Sequence, residues 1–291
     1  MISIIISSAN TEQLKQVTEN IAATIGIPFE IIAIDNSKGQ QGICAVYNKG
    51  IAKAKYGILC FMHEDVFIKT SNWGNILKNI FDKNSDVGLL GVCGGSYKPY
   101  TPSSWGGLGL SNAYFNFIQT YKYKVREPEF HYRNPDGVML APVACVDGVW
   151  LVTTSKVAAK YKFDEDNFKG FHVYDLDYSI AVGQEYKVCV TYEVLLNHLS
   201  EGKFNAEWVE DTLKLHEKWK EILPVNIAGY TFEQRRHVEK VSFRHFVMNL
   251  AKLKLPMRTA FNYLWNNKIY RELGLFWKLQ FDIFKIYAEQ G

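Results

Sequence analysis

No apolar run reaches about 18 residues, the length a membrane-spanning helix needs, so no such helix is expected. The opening MISIIISSAN lacks a basic n-region, and its apolar run is too short for a signal peptide. The five cysteines (Cys44, Cys60, Cys93, Cys145 and Cys189) contain no CxxC pair. Most lie in apolar surroundings, which predicts buried reduced thiols and a cytoplasmic location. The net charge of +3 is too small to argue for a nucleic-acid partner. Internal repeats and low-complexity tracts are also missing. What remains is an ordinary globular balance, 47% hydrophobic and 22% charged over 291 residues. That length suits one large domain, or one domain with an extension.

The most informative stretch is Gly57–Ile68, GILCFMHEDVFI. Its apolar run, Ile58 to Met62, predicts a buried strand that ends abruptly in His63-Glu64-Asp65. Three ionisable groups at a strand exit need a partner such as a divalent cation if they are buried. A solvated strand exit is the plainer alternative. Upstream, Ile2–Ser7 predicts the first strand, and Thr11–Ile25 a helix capped by Asn10 or Thr11 and stopped by Gly26. Glu30–Ile34 predicts a second strand, with Asp35-Asn36-Ser37-Lys38-Gly39 as its polar exit. A helix over Ile43–Lys55 then leads into the His63 strand. Strand, helix and strand joined by short connections form a βαβ unit with parallel strands. Asp35 and His63–Asp65 should therefore share one edge of an α/β sheet, where ligands bind.

The order of these elements, with EIIAIDNSKG, Asn48-Lys49-Gly50 and the strand ending in His63-Glu64-Asp65, resembles the nucleotide-binding half of a family-2 glycosyltransferase with the GT-A fold. The resemblance implies a mostly parallel open sheet flanked by helices. It implies that Asp35, with Asn36 and Ser37, contacts the nucleoside of a nucleotide-sugar donor. In place of the family's DXD this sequence has His63-Glu64-Asp65, similar to a bacterial subgroup with a His-x-Asp triplet. His63 and Asp65 are then candidate ligands for Mn²⁺ or Mg²⁺, with Glu64 on the donor side. In the family such an ion meets the diphosphate, where a Lewis acid stabilises the leaving charge.

Further along, Trp73–Phe81 predicts a helix and Val87–Val92 a strand. Cys93-Gly94-Gly95-Ser96 reads either as a plain turn or as a place where backbone approaches a ligand. Tyr97–Ala141 has weak periodicity and many aromatic and basic residues, among them Trp105, Tyr114, Phe115, Tyr121, Tyr123, Lys122, Lys124, Arg126 and Arg133. It reads as a functional loop whose aromatics offer faces to a sugar ring and whose cations offer contacts to phosphate, or, the preferred reading for most of these residues, as an elaborated surface flap with its own small core. Val143–Thr153 predicts one strand broken at Asp147-Gly148. Asp147 is a candidate for the donor-sugar hydroxyls, or else marks a bulge with Gly148 at positive φ. The segment Tyr174-Asp175-Leu176-Asp177 resembles the family's acidic motif at the start of a helix. That match carries the catalytic-base role onto Asp175, with helix capping by Asp175 as the alternative. A base placed there should have its pKa lowered by the helix dipole. His198 matches the position of a further metal ligand, and His172 is a weaker candidate on the acceptor side.

The expected division is 1–204, a catalytic part, and 205–291, a helical extension. In the extension Glu207–Leu223, Phe232–Leu255 and Met257–Tyr287 read as helices rich in aromatic and basic residues. They fit packing or a homodimer interface, and equally a peripheral contact with an anionic membrane face. The expected function is inverting, metal-dependent sugar transfer from a nucleotide-sugar to a glycan or lipid-linked acceptor. Two alternatives stand beside it. A degenerate domain of this fold would only bind glycan or nucleotide, or scaffold a partner. A nucleotidyltransferase would share a related sheet, but SSANTEQ offers no Gly-rich basic loop after the first strand.

Overall fold

The computed structural model describes residues 1–105, 112–122, 125–200, 202 and 204–290. Tyr123 and Lys124 lie outside the described residues. The first strand is Ile2–Ser8, and the helix after it, Thr11–Thr24, begins where the Asn10 side chain accepts the N–H groups of Glu12 and Gln13. Gly26, at φ 74°, turns the chain out of that helix into Phe29–Asp35. Helix Ile43–Lys53 packs on the first strand through Gly50, where a Cβ would lie 2.3 Å from Ile5. Asn48, two residues earlier, holds both the N–H and the C=O of Phe163 at 3.1 and 2.8 Å. The Asn-Lys-Gly triplet thus acts through a hydrogen-bonded tie at Asn48 and close packing at Gly50.

The main sheet has seven strands, in the order Leu140–Val143, Lys187–Thr191, Val87–Gly91, Trp150–Thr154, Ile58–His63, Ile2–Ser8 and Phe29–Asp35. All run parallel except Leu140–Val143 and Trp150–Thr154, as expected of a mostly parallel sheet with helices on its faces. Strand pleating sorts its side chains into two cores. Ile5, Phe61 and Leu151 enter one; Ile4, Ile6, Met62 and Val152 enter the other.

A second sheet covers one end of the first. It runs Cys145–Val146, Cys93–Gly95, Ala113–Gln119, Leu196–His198 and Val66–Ile68, with Glu129–Arg133 also paired to Ala113–Gln119. Three expectations change here. Cys93-Gly94-Gly95 is a buried strand, and Gly94 is small because a Cβ would meet the Cys145 carbonyl oxygen at 2.4 Å. The flap contains the central strand of this sheet. The single strand expected over Val143–Thr153 is three, because Asp147 accepts the Val149 N–H at 2.9 Å and turns the chain from one sheet to the other.

The C-terminal residues form helices Ala206–Lys218, Phe232–Lys252, Met257–Asn266, Ile269–Glu272 and Phe276–Gln290 around a third core that includes Phe243, Phe246, Leu264, Tyr270 and Leu279. The helical run expected over Met257–Tyr287 is interrupted, with Gly274 at φ 64° between the last two helices. Buried Glu239 ties this bundle to the start of the flap. It accepts from the Tyr97 hydroxyl at 2.9 Å, the Tyr100 N–H at 2.8 Å and the Thr101 hydroxyl at 3.1 Å. No helix among the described residues is long and apolar enough to cross a membrane.

Candidate active site

Register brings the expected residues to one edge. Ser8 pairs with Asp35 and Ser7 with His63, so the exits of strands Phe29–Asp35 and Ile58–His63 flank that of Ile2–Ser8. Strand Trp150–Thr154 runs the other way and starts at this edge, with Trp150 beside Met62 and the His63 N–H donating to the Val149 carbonyl at 3.3 Å. The Asp147-Gly148 turn therefore sits next to His63. Val66–Ile68 pairs antiparallel with Leu196–His198, which places His198 opposite Val66 and beside Asp65.

His63, Asp65 and His198 meet, with one ligand atom from each lying within 4.8 Å of the others. His198 Nε2 is 3.7 Å from Asp65 Oδ1, and both side chains are about 15% exposed. Burial alone would raise the Asp65 carboxyl. Facing His198 and His63, together with the Ser200 hydroxyl donating to its other oxygen, outweigh this and hold it below the ordinary value. The Tyr174 hydroxyl fixes His63: it donates to the Gly148 carbonyl at 3.0 Å, so its oxygen accepts from His63 Nε2 at 2.8 Å. That leaves the His63 Nδ1 lone pair free, the form a metal ligand needs. Two imidazoles and a carboxylate suit a Mn²⁺-like ion.

Asp175 is the second residue of helix Tyr174–Val182. It does not cap the helix: the capping position is Val173, held at φ 57°, a strained conformation for a β-branched residue. Its carboxylate accepts the N–H groups of Gly148 and Leu176, each at 2.9 Å. Burial, then the neighbouring Asp147, push Asp175 up to about 7, opposite to the lowering expected from the helix dipole. Asp147 accepts from the Trp105 indole at 2.8 Å. Asp177 points away from the site and into a structural pair, with Trp219 Nε1 and Lys218 Nζ each 2.7 Å away.

The nucleoside-side residues divide by environment. Asp35 is exposed and accepts the Ser37 N–H at 2.9 Å, which keeps its pKa low. Asn36 is buried and closes the loop by exchanging hydrogen bonds with the Gln41 backbone at 2.8 and 3.2 Å. Glu64 turns from the triplet toward the first strand exit. Its carboxylate accepts from the N–H groups of Ala9 and Asn10 at 3.1 to 3.2 Å, ahead of helix Thr11–Thr24. Glu64→Ala should therefore lower stability by about 1–2 kcal/mol, read as a drop of a few degrees in melting temperature. Mn²⁺ affinity should stay at the parental level.

A cavity of about 400 Å³ opens beside Asp175, walled by His63, Trp105, Asp147, His172 and Asp175, with Phe171 and Phe204 at its margin; Asp35, Asp65 and His198 do not line it. His172 thus reaches the same cavity as Asp175. Of the flap side chains, Trp105 serves it, while Tyr114 is tied to Asp136 at 2.7 Å, and Tyr121 and Arg126 are tied to Glu129. Two residues went unassigned in the sequence: Ser200, and Tyr174 as a bridge between His63 and Gly148. The signal for Tyr174 was present, since it stands where the acidic motif usually has Glu. Ser200 has no such signal.

Among curated protein sequences none matches the chain. Of solved structures, GalNAc-T7 with UDP, GalNAc and Mn²⁺ aligns over 76% of this chain at 9% identity with a TM-score of 0.53. The chain spans about half of that structure's length, 49%. S. aureus TarS 1–349 aligns over 99% of this chain and 89% of its own, at 9% identity and a TM-score of 0.47. A family model described as a glycosyltransferase-like family matches residues 1–221 of the 291. The match covers well over half of the sequence, and the chain belongs to the glycosyltransferase-like family.

Proposed function

We propose that the protein transfers a sugar from a nucleotide-sugar donor to a hydroxyl of a glycan or lipid-linked acceptor, with inversion. One observation supports this most: His63 belongs both to a His-Asp-His cluster and to the wall of a cavity that a raised-pKa carboxylate, Asp175, also lines. In this reading Asp35, with the loop that Asn36 and Ser37 hold, contacts the nucleoside. His63, Asp65 and His198 would hold a divalent cation, which supplies Lewis-acid stabilisation of the departing diphosphate. Asp147 orients the sugar hydroxyls beside Trp105. Asp175 takes the proton of the acceptor hydroxyl as that oxygen bonds to the anomeric carbon and the bond to diphosphate breaks. A carboxyl near pKa 7 is matched to this task, because it is ionised in a useful fraction and still basic enough to hold the proton. The catalytic part would be 1–204, with 205–291 as a helical extension fastened through Glu239.

Calorimetric titration with UDP, GDP, CDP and dTDP, each with and without Mn²⁺, tests the reading. One nucleotide should bind tightly, and only with metal. Asp65→Ala should remove that binding. Nucleotide affinity indifferent to Mn²⁺ and to Asp65→Ala would remove the metal site. No binding of any nucleotide would leave a domain that only binds glycan or scaffolds a partner.

A further inference from the structure

The last helix, Phe276–Gln290, is apolar on two opposite faces. Leu279, Ile283 and Ile286 point into the third core and are at most 4% exposed. At the opposite pole Trp277, Phe281 and Phe284, spaced four and three residues apart, are 78%, 68% and 57% exposed. Aromatic side chains of that size do not normally point outward on a helix already anchored by its other face. The patch continues across the bundle: Phe284 packs on Phe261 with ring centroids 5.0 Å apart, and Trp265, 51% exposed, packs on Phe276 at 5.0 Å. Arg271 lies over the rings of Phe276 and Trp265 at 4.8 and 5.9 Å.

The charge around this patch is predominantly basic. Residues 252–291 carry seven Lys and Arg against three Asp and Glu, a surplus of four in a chain whose net charge is +3. One of the three acids, Asp282, is buried beneath Arg244 and Lys278. Lys278 and Lys285 lie along one side of the aromatic pole, 3.6 Å from Asp282 and 3.8 Å from Glu289, and exposed Arg258 lies one turn before Phe261. A second copy of the chain docked face to face would set this basic rim against itself. An anionic bilayer complements it, taking aromatic rings at the acyl boundary and cations at the headgroups. No helix among the described residues can cross the bilayer, so the contact is peripheral.

We infer that the aromatic pole of the last helix, with its basic rim, docks this protein onto the surface of an anionic phospholipid membrane. The contact stands apart from the proposed chemistry, and its test reads binding alone. Flotation of the full chain with vesicles of phosphatidylcholine, and of phosphatidylcholine with phosphatidylglycerol, should show binding to the anionic vesicles only, weakening as salt rises. The triple variant Trp277→Ser, Phe281→Ser, Phe284→Ser should bind at least about tenfold less. Arg258→Glu with Lys285→Glu should weaken binding about fivefold or more per charge, and this pair keeps the test open if the triple variant fails to fold. Failure to float, equal binding to neutral vesicles, or binding untouched by both variants would overturn the inference. So would a dimer in sedimentation that the triple variant dissociates, because a second copy would then cover the face.

Discussion

Asp175→Asn should lower kcat by about 10²–10⁴-fold while leaving the melting temperature close to that of the parent. The amide keeps the shape and one acceptor oxygen for the backbone N–H groups of Gly148 and Leu176. It removes a charge that burial and Asp147 already disfavour, and this offsets the loss of one hydrogen bond. In the parent, kcat/KM should rise with pH through about 7, because only the ionised carboxylate accepts the proton. The upward shift of the carboxyl moves that rise into the neutral range. A carboxyl at its ordinary value would leave kcat/KM flat from pH 6 to 8. Measuring kcat/KM against pH for the parent, and kcat with melting temperature for the variant, checks both. A parental kcat in Asp175→Asn, or a flat profile over that range, would remove Asp175 as the base.

Gly148→Ala should cost about 10–100-fold in metal affinity although residue 148 offers no ligand. An added Cβ would sit 2.2 Å from the Tyr174 hydroxyl and 2.4 Å from its ring, so Tyr174 must move. Tyr174 is buried against Tyr47 and Phe163 and has no easy alternative position. Displacing it frees His63 Nε2, and with it the orientation of the ring that presents Nδ1. Tyr174→Phe should have a similar, smaller effect, since it removes the hydroxyl without the collision. Gly57→Ala is the control, because nothing lies within 4 Å of its added Cβ. Isothermal titration with Mn²⁺ across the three variants reads the order. Gly148→Ala matching Gly57→Ala would mean that the Tyr174 bridge does not orient His63.

How much of this was legible follows from the range of each interaction. The first 63 residues alternate strand and helix with local stop signals such as Asn10 and Gly26, and their strand exits could be placed from pattern alone. The meeting of Asp65 with His198 was expected only through resemblance, because the pairing of Leu196–His198 with Val66–Ile68 spans some 130 residues. The strand Ala113–Gln119 was hidden in a stretch rich in Gly, Pro and aromatics, where no periodicity marks an element half exposed at its end. One of the two readings of Asp147-Gly148 put Gly148 at positive φ; its φ is not positive, and the constraint comes instead from Tyr174, 26 residues on. Asp175 was expected to be acidified by its helix. Burial of its carboxyl, and then the carboxylate of Asp147 in the turn between the two sheets, raise it instead, and neither can be read from spacing.

The antiparallel strand Trp150–Thr154 has a consequence for how the molecule assembles. It lies between Ile58–His63 and Val87–Gly91 and is hydrogen-bonded to both. During synthesis the three parallel strands that end at His63 are complete early, yet their inner edge stays open until residue 154 emerges. For some ninety residues of elongation the nascent chain presents an apolar strand, ILCFMH, with unpaired backbone groups, which is a template for pairing with another chain. Fragments ending before residue 150 should therefore aggregate, whereas those that include Trp150–Thr154 have that edge closed. The last of the three clustered candidate ligands, His198, arrives later still, so a metal held there could stabilise only a chain whose two large sheets are complete.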